Sequence, residues 1–553
     1  MATGFAEASA SGLPNVIVIL TDDQAFGDVG VHGNRKIRTP NLDRFAREGV
    51  RLTRFYCQPL CCPTRAGLMT GRYHYRTGVL HSSRGGAKMR GNEVTVAELL
   101  AKAGYATGIF GKWHLGNNYP MRPQDQGFDE VLIHRSGAPG QPPDHGNSYF
   151  DPLLWHNGRQ IRADGYCADV FTDAAIRFID VNRTRRFFVY LSTSAPHTPL
   201  EIAESYVAPY RQLGLGEDTA KVYGMLTNMD DNLGRLLAHL DELKLREETL
   251  IVFLSDNGIS EGGPSANRYN FGLRGHKTWT YEGGVRVPCF VQWPGAVKGG
   301  RQVEQMAAHI DLLPTILDAC GIQAPANLKL DGVSLLPALR GAEIAEGDRV
   351  IFIQCHRGLD PHRYLNGTAV TQRYKLIFNP GTFGRRQPVD KNQVELYDLV
   401  SDPGEQRNLS RMKPQVVSRL KAAYDRWFEE VEVTRSFVPG VMHLGPQMET
   451  PALLSRYQDG TYRGGYSRGW SMRVAQGRYE FRVKQPAESR DGSVFVSWLG
   501  HVRRKPAKAN TGVVFDLKAG EGLLDIWWQA DGEVRKITGD SSAVGDVVVR
   551  WRE

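Results

Sequence analysis

Cys61-Cys62-Pro63-Thr64-Arg65, followed by Ala66-Gly67-Leu68-Met69-Thr70-Gly71-Arg72, sets a nucleophilic thiol, a proline and a fixed cation within about one turn of chain. Pro63 suits the first turn of a helix, Leu68 and Met69 are good helix formers and Gly71 is a natural stop, so the stretch predicts a loop entering a short helix at Cys61. A helix start offers unpaired N–H groups and the positive end of the dipole. An anion docked against Cys61 is stabilised there. Arg65 opposes that dipole, which makes sense if its charge faces an anion. The competing reading is a metal knuckle or a disulfide among Cys57, Cys61 and Cys62, whose spacing matches no common zinc pattern.

Such groups need a scaffold, and four apolar, β-branched runs supply one. Asn15–Leu20 ends in Thr21-Asp22-Asp23, and Ala106–Phe110 ends in Gly111-Lys112-Trp113-His114. Arg186–Leu191 leads to Ala195-Pro196-His197, and Thr249–Leu254 ends in Ser255-Asp256-Asn257-Gly258. These read as buried strands of an α/β sheet, where ligands bind beyond the carboxyl ends. The four ends nominate one site containing two aspartates, a lysine with a histidine, a second histidine and an Asp-Asn pair.

Helices lie between the strands. Thr39 reads as a good N-cap with Pro40 at the first helical position, and Ala220–Leu245 carries apolar residues at helical spacing. Asp230-Asp231 in that second helix has no strand before it and is read as a solvated face or an internal salt bridge. Residues 135–160, 260–274 and 356–386 read as long loops, the expected walls of a substrate pocket. Beyond about residue 440 short alternating strands separated by glycine and aspartate turns predict a β-sandwich. Its tryptophans are expected mostly in the core, and Arg503-Arg504-Lys505 in a loop that contacts ligand.

Composition narrows the class further. Hydrophobic and charged fractions of 41% and 23% are those of a folded protein, and no apolar run approaches membrane-spanning length. Seven cysteines are too few and too odd for a disulfide framework. The net charge of +8 favours anionic substrates, and no nucleic-acid-binding motif accompanies it. The first twelve residues are small and polar without the apolar core of a signal peptide. Either the protein is cytoplasmic, or it is periplasmic or secreted and this sequence lacks its signal peptide.

Cys61, Pro63 and Arg65 fit the Cys-x-Pro-x-Arg signature of the type I sulfatases, in the alkaline phosphatase superfamily; Cys62 does not have the required spacing. Asp22-Asp23, Lys112-Trp113-His114, His197, Asp256-Asn257-Gly258, the segment His276–Arg286 and the segment Glu395–Leu409 each resemble a motif of that family, in its order. The resemblance covers about residues 14–430. It implies an alkaline-phosphatase-like α/β core (13–340) with a smaller α+β C-terminal subdomain (341–440); composition adds a flexible tail (1–12) before them and the strand pattern a β-sandwich (441–553) after. It also implies that Cys61 is oxidised to formylglycine by a maturation enzyme. Asp22, Asp23, Asp256 and Asn257 would then hold one calcium, or magnesium, that touches residue 61; hard oxygen donors suit either ion. Lys112, Lys277 and Arg65 would neutralise the sulfate oxygens.

By the same resemblance, a hydrated formylglycine attacks sulfur to give a covalent sulfo-enzyme, His114 takes the second hydroxyl's proton as sulfate leaves, and His197 with Lys277 protonates the departing alcohol. The expected substrate is a sulfated saccharide or polysaccharide, with arylsulfatase activity on small esters. The alternatives are a phosphate or phosphonate ester hydrolase of the same superfamily and a non-catalytic glycan-binding protein. Peptide mass spectrometry of the matured protein should locate the aldehyde at Cys61 and leave Cys57 and Cys62 as thiols; conversion at Cys62 would overturn the assignment.

Overall fold

Every residue from Asn15 to Thr21 is buried, which is why this run carries no alternating polar positions. The computed structural model describes residues 12–552 except 136, 261–267, 343–348, 357–360, 381–388, 436, 449–450, 461, 464–465, 468, 486–488, 490 and 531–545. Asn15–Thr21 is central to a ten-stranded sheet, flanked in parallel by Thr249–Ser255 and Phe187–Ser192; Ala106–Lys112 and Glu130–His134 continue the parallel run. The register pairs Thr21 with Ser255, Leu20 with Ser192 and Gly111 with Ser192, so the carboxyl ends of the strands finish level.

Alternate residues face opposite layers. Val16, Val18 and Leu20 join a core shared with the helices Cys61–Thr70, Val96–Lys102 and Leu312–Ala319. Ile17 and Ile19 join a core shared with Pro40–Glu48, Cys167–Asn182 and Glu217–Glu242. The fold is the expected α/β sandwich of layers. No described helix is long and apolar enough to cross a membrane.

After the core, the strands Ile351–Gln354, Gly367–Val370, Tyr374–Phe378 and Val394–Asp398 form an antiparallel sheet that packs with the helix Pro414–Arg435. The C-terminal strands then form a five-stranded and a four-stranded sheet around a core of their own.

Several local expectations change. Thr39 occupies the N-cap position, yet its side chain does not cap: its hydroxyl accepts from the Gly30 N–H and donates to Asp43. Asp230 does the capping from the neighbouring helix, accepting the Asn41 and Leu42 N–H groups at 3.1 and 2.7 Å. It is therefore a buried hydrogen-bond acceptor, while Asp231 takes the Tyr206 hydroxyl. The end of the first long loop, from residue 153, forms with Ile161 and Arg162 a hairpin of the strands Leu153–His156 and Arg159–Arg162. The other two long loops lie partly outside the described residues.

Arg503-Arg504-Lys505 is not a loop but part of the edge strand His501–Ala507. Arg503 and Lys505 donate to the Asp516 and Val514 carbonyls of the other sheet's edge strand, and Arg504 donates to Ser493. The basic triplet blunts two sheet edges, the usual place for lysine and arginine in such strands. Trp498 is core, Trp528 and Trp551 pack against it, and Trp527 stacks on Phe495 at 5.0 Å.

Gly111 precedes Lys112 with φ 122, and a Cβ there would lie 1.8 Å from the Ser192 carbonyl oxygen. Gly111→Ala should therefore destabilise the protein by more than about 3 kcal/mol. Thermal melting checks this; an unchanged midpoint would show that the two strand ends tolerate separation.

Candidate active site

The level strand ends bring the nominated residues together. Lys112 Nζ donates to Asp22 Oδ2 at 2.5 Å, and Lys277 Nζ to Asp23 Oδ1 at 2.6 Å. Arg65 grips Asp256 through Nε and Nη2 at 3.1 and 2.8 Å and lies 3.8 Å from Asp22. Asn257 Nδ2 donates to Asp23 Oδ1 at 2.6 Å, and the Asp23 N–H donates to Asp256 Oδ1 at 3.3 Å. Three carboxylates thus face three cations, all deeply buried except Lys277, which is partly exposed. Arg65 differs from expectation in its aim. Its remaining donors go to the Lys112 carbonyl and the Ser192 hydroxyl, so the guanidinium is occupied by protein acceptors.

Burial pushes Asp256 up to about 7 and raises Asp22, because taking a carboxylate out of water disfavours its charge. Burial acts the same way on Asp23, but Lys277 and His197 outweigh it and hold that carboxyl low. Burial opposes the charge on Lys112 and Lys277, yet their aspartates hold both ammonium groups above the ordinary value.

Cys61 opens the helix Cys61–Thr70, as the proline and glycine positions imply; Gly71 ends it with φ 65 and an N–H to the Gly67 carbonyl. Its N-cap, Leu60, has no side-chain acceptor for the first N–H groups. Cys61 is only 3% exposed. Its Sγ lies 3.5 Å from His114 Nδ1 and 3.4 Å from Ser82 Oγ. The Cys62 thiol, then Lys112 and His114, hold the Cys61 thiol well below its usual value despite burial. Cys62 donates to the His114 carbonyl and Cys57 to the Ser255 carbonyl, and burial raises both thiols well above the ordinary value. Of these three cysteines, Cys61 alone combines contact with the His114 ring nitrogen and a thiolate-favouring environment.

The two histidines are oriented oppositely. His114 Nε2 lies 3.1 Å from the Ser82 carbonyl; a carbonyl only accepts, so Nε2 carries the proton and Nδ1 presents its lone pair to position 61. His197 Nδ1 donates to the Thr198 carbonyl at 2.7 Å, which turns Nε2 toward Asp23 Oδ2, 3.9 Å away. Burial and then Lys277 lower His197 to about 4. Asp23, His114 and Thr278, next to Lys277, adopt φ of 68, 57 and 76. Such left-handed backbone costs about 1–3 kcal/mol per residue and clusters at functional sites.

Sequence reasoning missed Ser82, Ser192 and Arg268. Ser192 ends a central strand, where the strand-end rule could have found it. Arg268 pairs with buried Asp28 and donates to the Asp23 carbonyl at 2.9 Å. Ser82 lies in a Gly-rich turn with no distinguishing signal. The three long loops do reach the site: Gly137 abuts the His114 ring, Arg268 supports Asp23, and Asn366 Nδ2 donates to the Thr278 carbonyl at 2.8 Å.

Residues 14–322 match the family model described as Sulfatase. The chain belongs to the sulfatase family. Residues 272–429 also match the model for the C-terminal part of N-sulphoglucosamine sulphohydrolase. This sulfatase is 32% identical to human arylsulfatase A over 510 residues, covering 81% of its own length and 94% of the relative. It is 32% identical to N-acetylgalactosamine-6-sulfatase of Canis lupus familiaris over 388 residues, or 64% and 70% of the two chains. The crystal structure of Ps i-CgsB in complex with k-i-k-neocarrahexaose superposes with a TM-score of 0.66 at 29% identity, covering 75% of this chain and 92% of that one. The sulfatase is accordingly a hydrolase of sulfate esters.

A divalent cation fits its carboxylate end. Asp22 Oδ1 and Asn257 Oδ1 are buried without a hydrogen-bond partner, a state that costs about 1–3 kcal/mol per group unless something coordinates them. One ligand atom each of Asp22, Asp23 and His197 lies within 4.8 Å of the others. The donors are mostly hard oxygens, which suit calcium or magnesium. Calcium added to chelator-treated sulfatase at about 100 times its Kd should stabilise the fold by ~2.7 kcal/mol, read as a raised melting temperature. Asn257→Ala should lose most of that shift. Stoichiometric zinc on elemental analysis, or a full shift in the variant, would overturn the oxygen-donor assignment.

Proposed function

We propose that this sulfatase removes sulfate from a sulfated saccharide, with Cys61 matured to formylglycine by a dedicated enzyme. Asp22, Asp23, Asp256 and Asn257, with residue 61, would hold one divalent cation, calcium or magnesium. The observation that carries the reading is the His114 arrangement: Nε2 fixed on the Ser82 carbonyl, Nδ1 facing Cys61 at 3.5 Å. An imidazole so held is a ready base for a hydroxyl at that position. The cation supplies charge neutralisation and orients the sulfate, and formylglycine, hydrated, supplies the attacking hydroxyl.

The chain's own groups do the rest. Lys112 and Lys277 bring fixed positive charge to where the sulfate oxygens gather negative charge, in a buried setting that strengthens it. Arg65, occupied by Asp256, acts by holding that carboxylate and adding field from behind. His114 removes the proton of the remaining hydroxyl as sulfate departs. His197 donates to the leaving alcohol from Nε2, with Lys277 beside it; the negative charge of the bound ester raises its proton affinity from the low value of the empty pocket.

A saccharide is favoured by the net charge of +8, by a relative named for N-acetylgalactosamine 6-sulfate chemistry and by a structural neighbour that binds neocarrahexaose. Small aryl sulfates remain useful assay substrates, as the arylsulfatase A relative suggests. A polymeric saccharide fits a periplasmic or secreted location. In this reading residues 13–340 carry catalysis, 341–440 form the C-terminal subdomain and 441–553 the accessory β-sandwich.

The histidines should fail differently. His114→Ala should release a burst of nitrophenol from nitrophenyl sulfate and then turn over slowly, with a steady-state loss of about 10²–10⁴. His197→Ala should lose activity on an alkyl sugar sulfate far more than on nitrophenyl sulfate, whose leaving group hardly needs a proton. Equal losses on both esters would remove the acid role.

A further inference from the structure

We infer that the C-terminal β-sandwich positions His114, and so sets the rate of the step that His114 serves. The inference rests on the base role proposed for that residue. His114 is in the left-handed region, a conformation that persists only where its surroundings fix it. Besides the Cys62 thiol on its carbonyl, two segments hold it, and both are tied to the sandwich.

The first segment is residues 81–88. The Ser82 carbonyl takes the Nε2 proton of His114 and thereby selects the tautomer that points a lone pair at residue 61. Three residues on, the Gly85 N–H donates to the Gln458 carbonyl at 3.0 Å. Gly85 has φ 79, and a Cβ there would lie 2.3 Å from the Gly460 carbonyl, so the two chains are in close contact. Lys88 Nζ then donates to the Asp459 carbonyl at 2.8 Å.

The second segment runs from Trp113 to Met121. The Trp113 indole donates to the Met121 carbonyl at 2.9 Å, and the Met121 side chain is buried in the sandwich core beside Met442 and Trp470. Asn118 Nδ2 donates to the Leu453 carbonyl at 3.2 Å and to Asp459 Oδ2 at 3.3 Å. Both segments meet at Asp459, which is itself held by the Ser455 N–H at 3.0 Å. From the sandwich to the imidazole there is one loop on one side and one indole on the other. A shift of the Asp459 region moves the Ser82 carbonyl and the backbone of His114 together.

The contacts distinguish positioning from plain stabilisation. With nitrophenyl sulfate, burst formation needs residue 61, Lys112 and Lys277, and turnover after the burst needs His114. Lys88→Met removes the side-chain bond of the first tie and Asn118→Ala those of the second, and neither residue touches the catalytic groups. Full-length, matured protein with residue 61 verified by peptide mass should be assayed by rapid mixing with nitrophenyl sulfate, alongside thermal melting. Each variant should keep its burst rate within about twofold and lose roughly tenfold in turnover after the burst, short of the loss expected without the base. In a His114→Ala background the same substitutions should cost nothing further, since their effect passes through that side chain.

The inference is overturned if burst and later turnover fall together in proportion to unfolded protein, if neither falls, or if the losses add in full to that of His114→Ala. If one variant does not fold, the other carries the test; if neither folds, the sandwich is a structural requirement and the positioning role is rejected. Absence of a burst in His114→Ala alone sinks the base role, whereas a burst there with normal turnover in both tie variants sinks only the part given to the sandwich.

Discussion

Three buried ion pairs, Lys112 with Asp22, Lys277 with Asp23 and Arg65 with Asp256, are the constraint around which the rest of the structure is arranged. Each charge has been taken from water at a penalty of several kcal/mol, offset only while its partner stays in place. No single element could hold all six. The aspartates come from two adjacent strand ends, Lys112 from a third strand, Arg65 from the helix behind them and Lys277 from a loop. The parallel sheet, by finishing these strands level, makes the pairing possible. Its fully buried strands, whose cores on both faces are packed by helices, keep water from loosening it.

The same requirement explains where the backbone is strained. Asp23, His114 and Thr278 leave the favoured regions where the chain must turn sharply off a strand or loop and still present a side chain to the cluster. Supports converge on these turns from behind: the Arg268 guanidinium on the Asp23 carbonyl, Cys62 and Ser82 around His114, and Asn366 on the Thr278 carbonyl. Strain at a few positions is maintained by many ordinary hydrogen bonds around them.

The C-terminal sandwich belongs to this support system. Its inner faces build a separate hydrophobic core, but Met121 of the catalytic region is part of that core and Lys88 and Asn118 bond to its backbone. The basic segment, read from sequence as a loop, is an edge strand that donates to carbonyls of its own domain. Positive charge there closes a sheet edge.

Much of this was legible in the chain itself. The four apolar runs determined the central strands within a residue or two, because complete burial removes polar positions and leaves an unmistakable run. The polar residues that follow them named Asp22, Asp23, Lys112, His114, His197, Asp256 and Asn257 as neighbours, since an open parallel sheet collects such groups at one edge. The Cys-x-Pro-x-Arg spacing singled out Cys61 over Cys62, which the opposite environments of the two thiols support. What only the tertiary structure decided are partnerships between residues far apart in sequence. Arg65 faces Asp256, 191 positions away, where a sulfate was expected; Asp230 caps a helix 189 positions earlier; and the Ser82 carbonyl selects the His114 tautomer. Such choices depend on distance and direction between elements, and on backbone atoms that every residue shares, so residue types and their spacing carry no record of them.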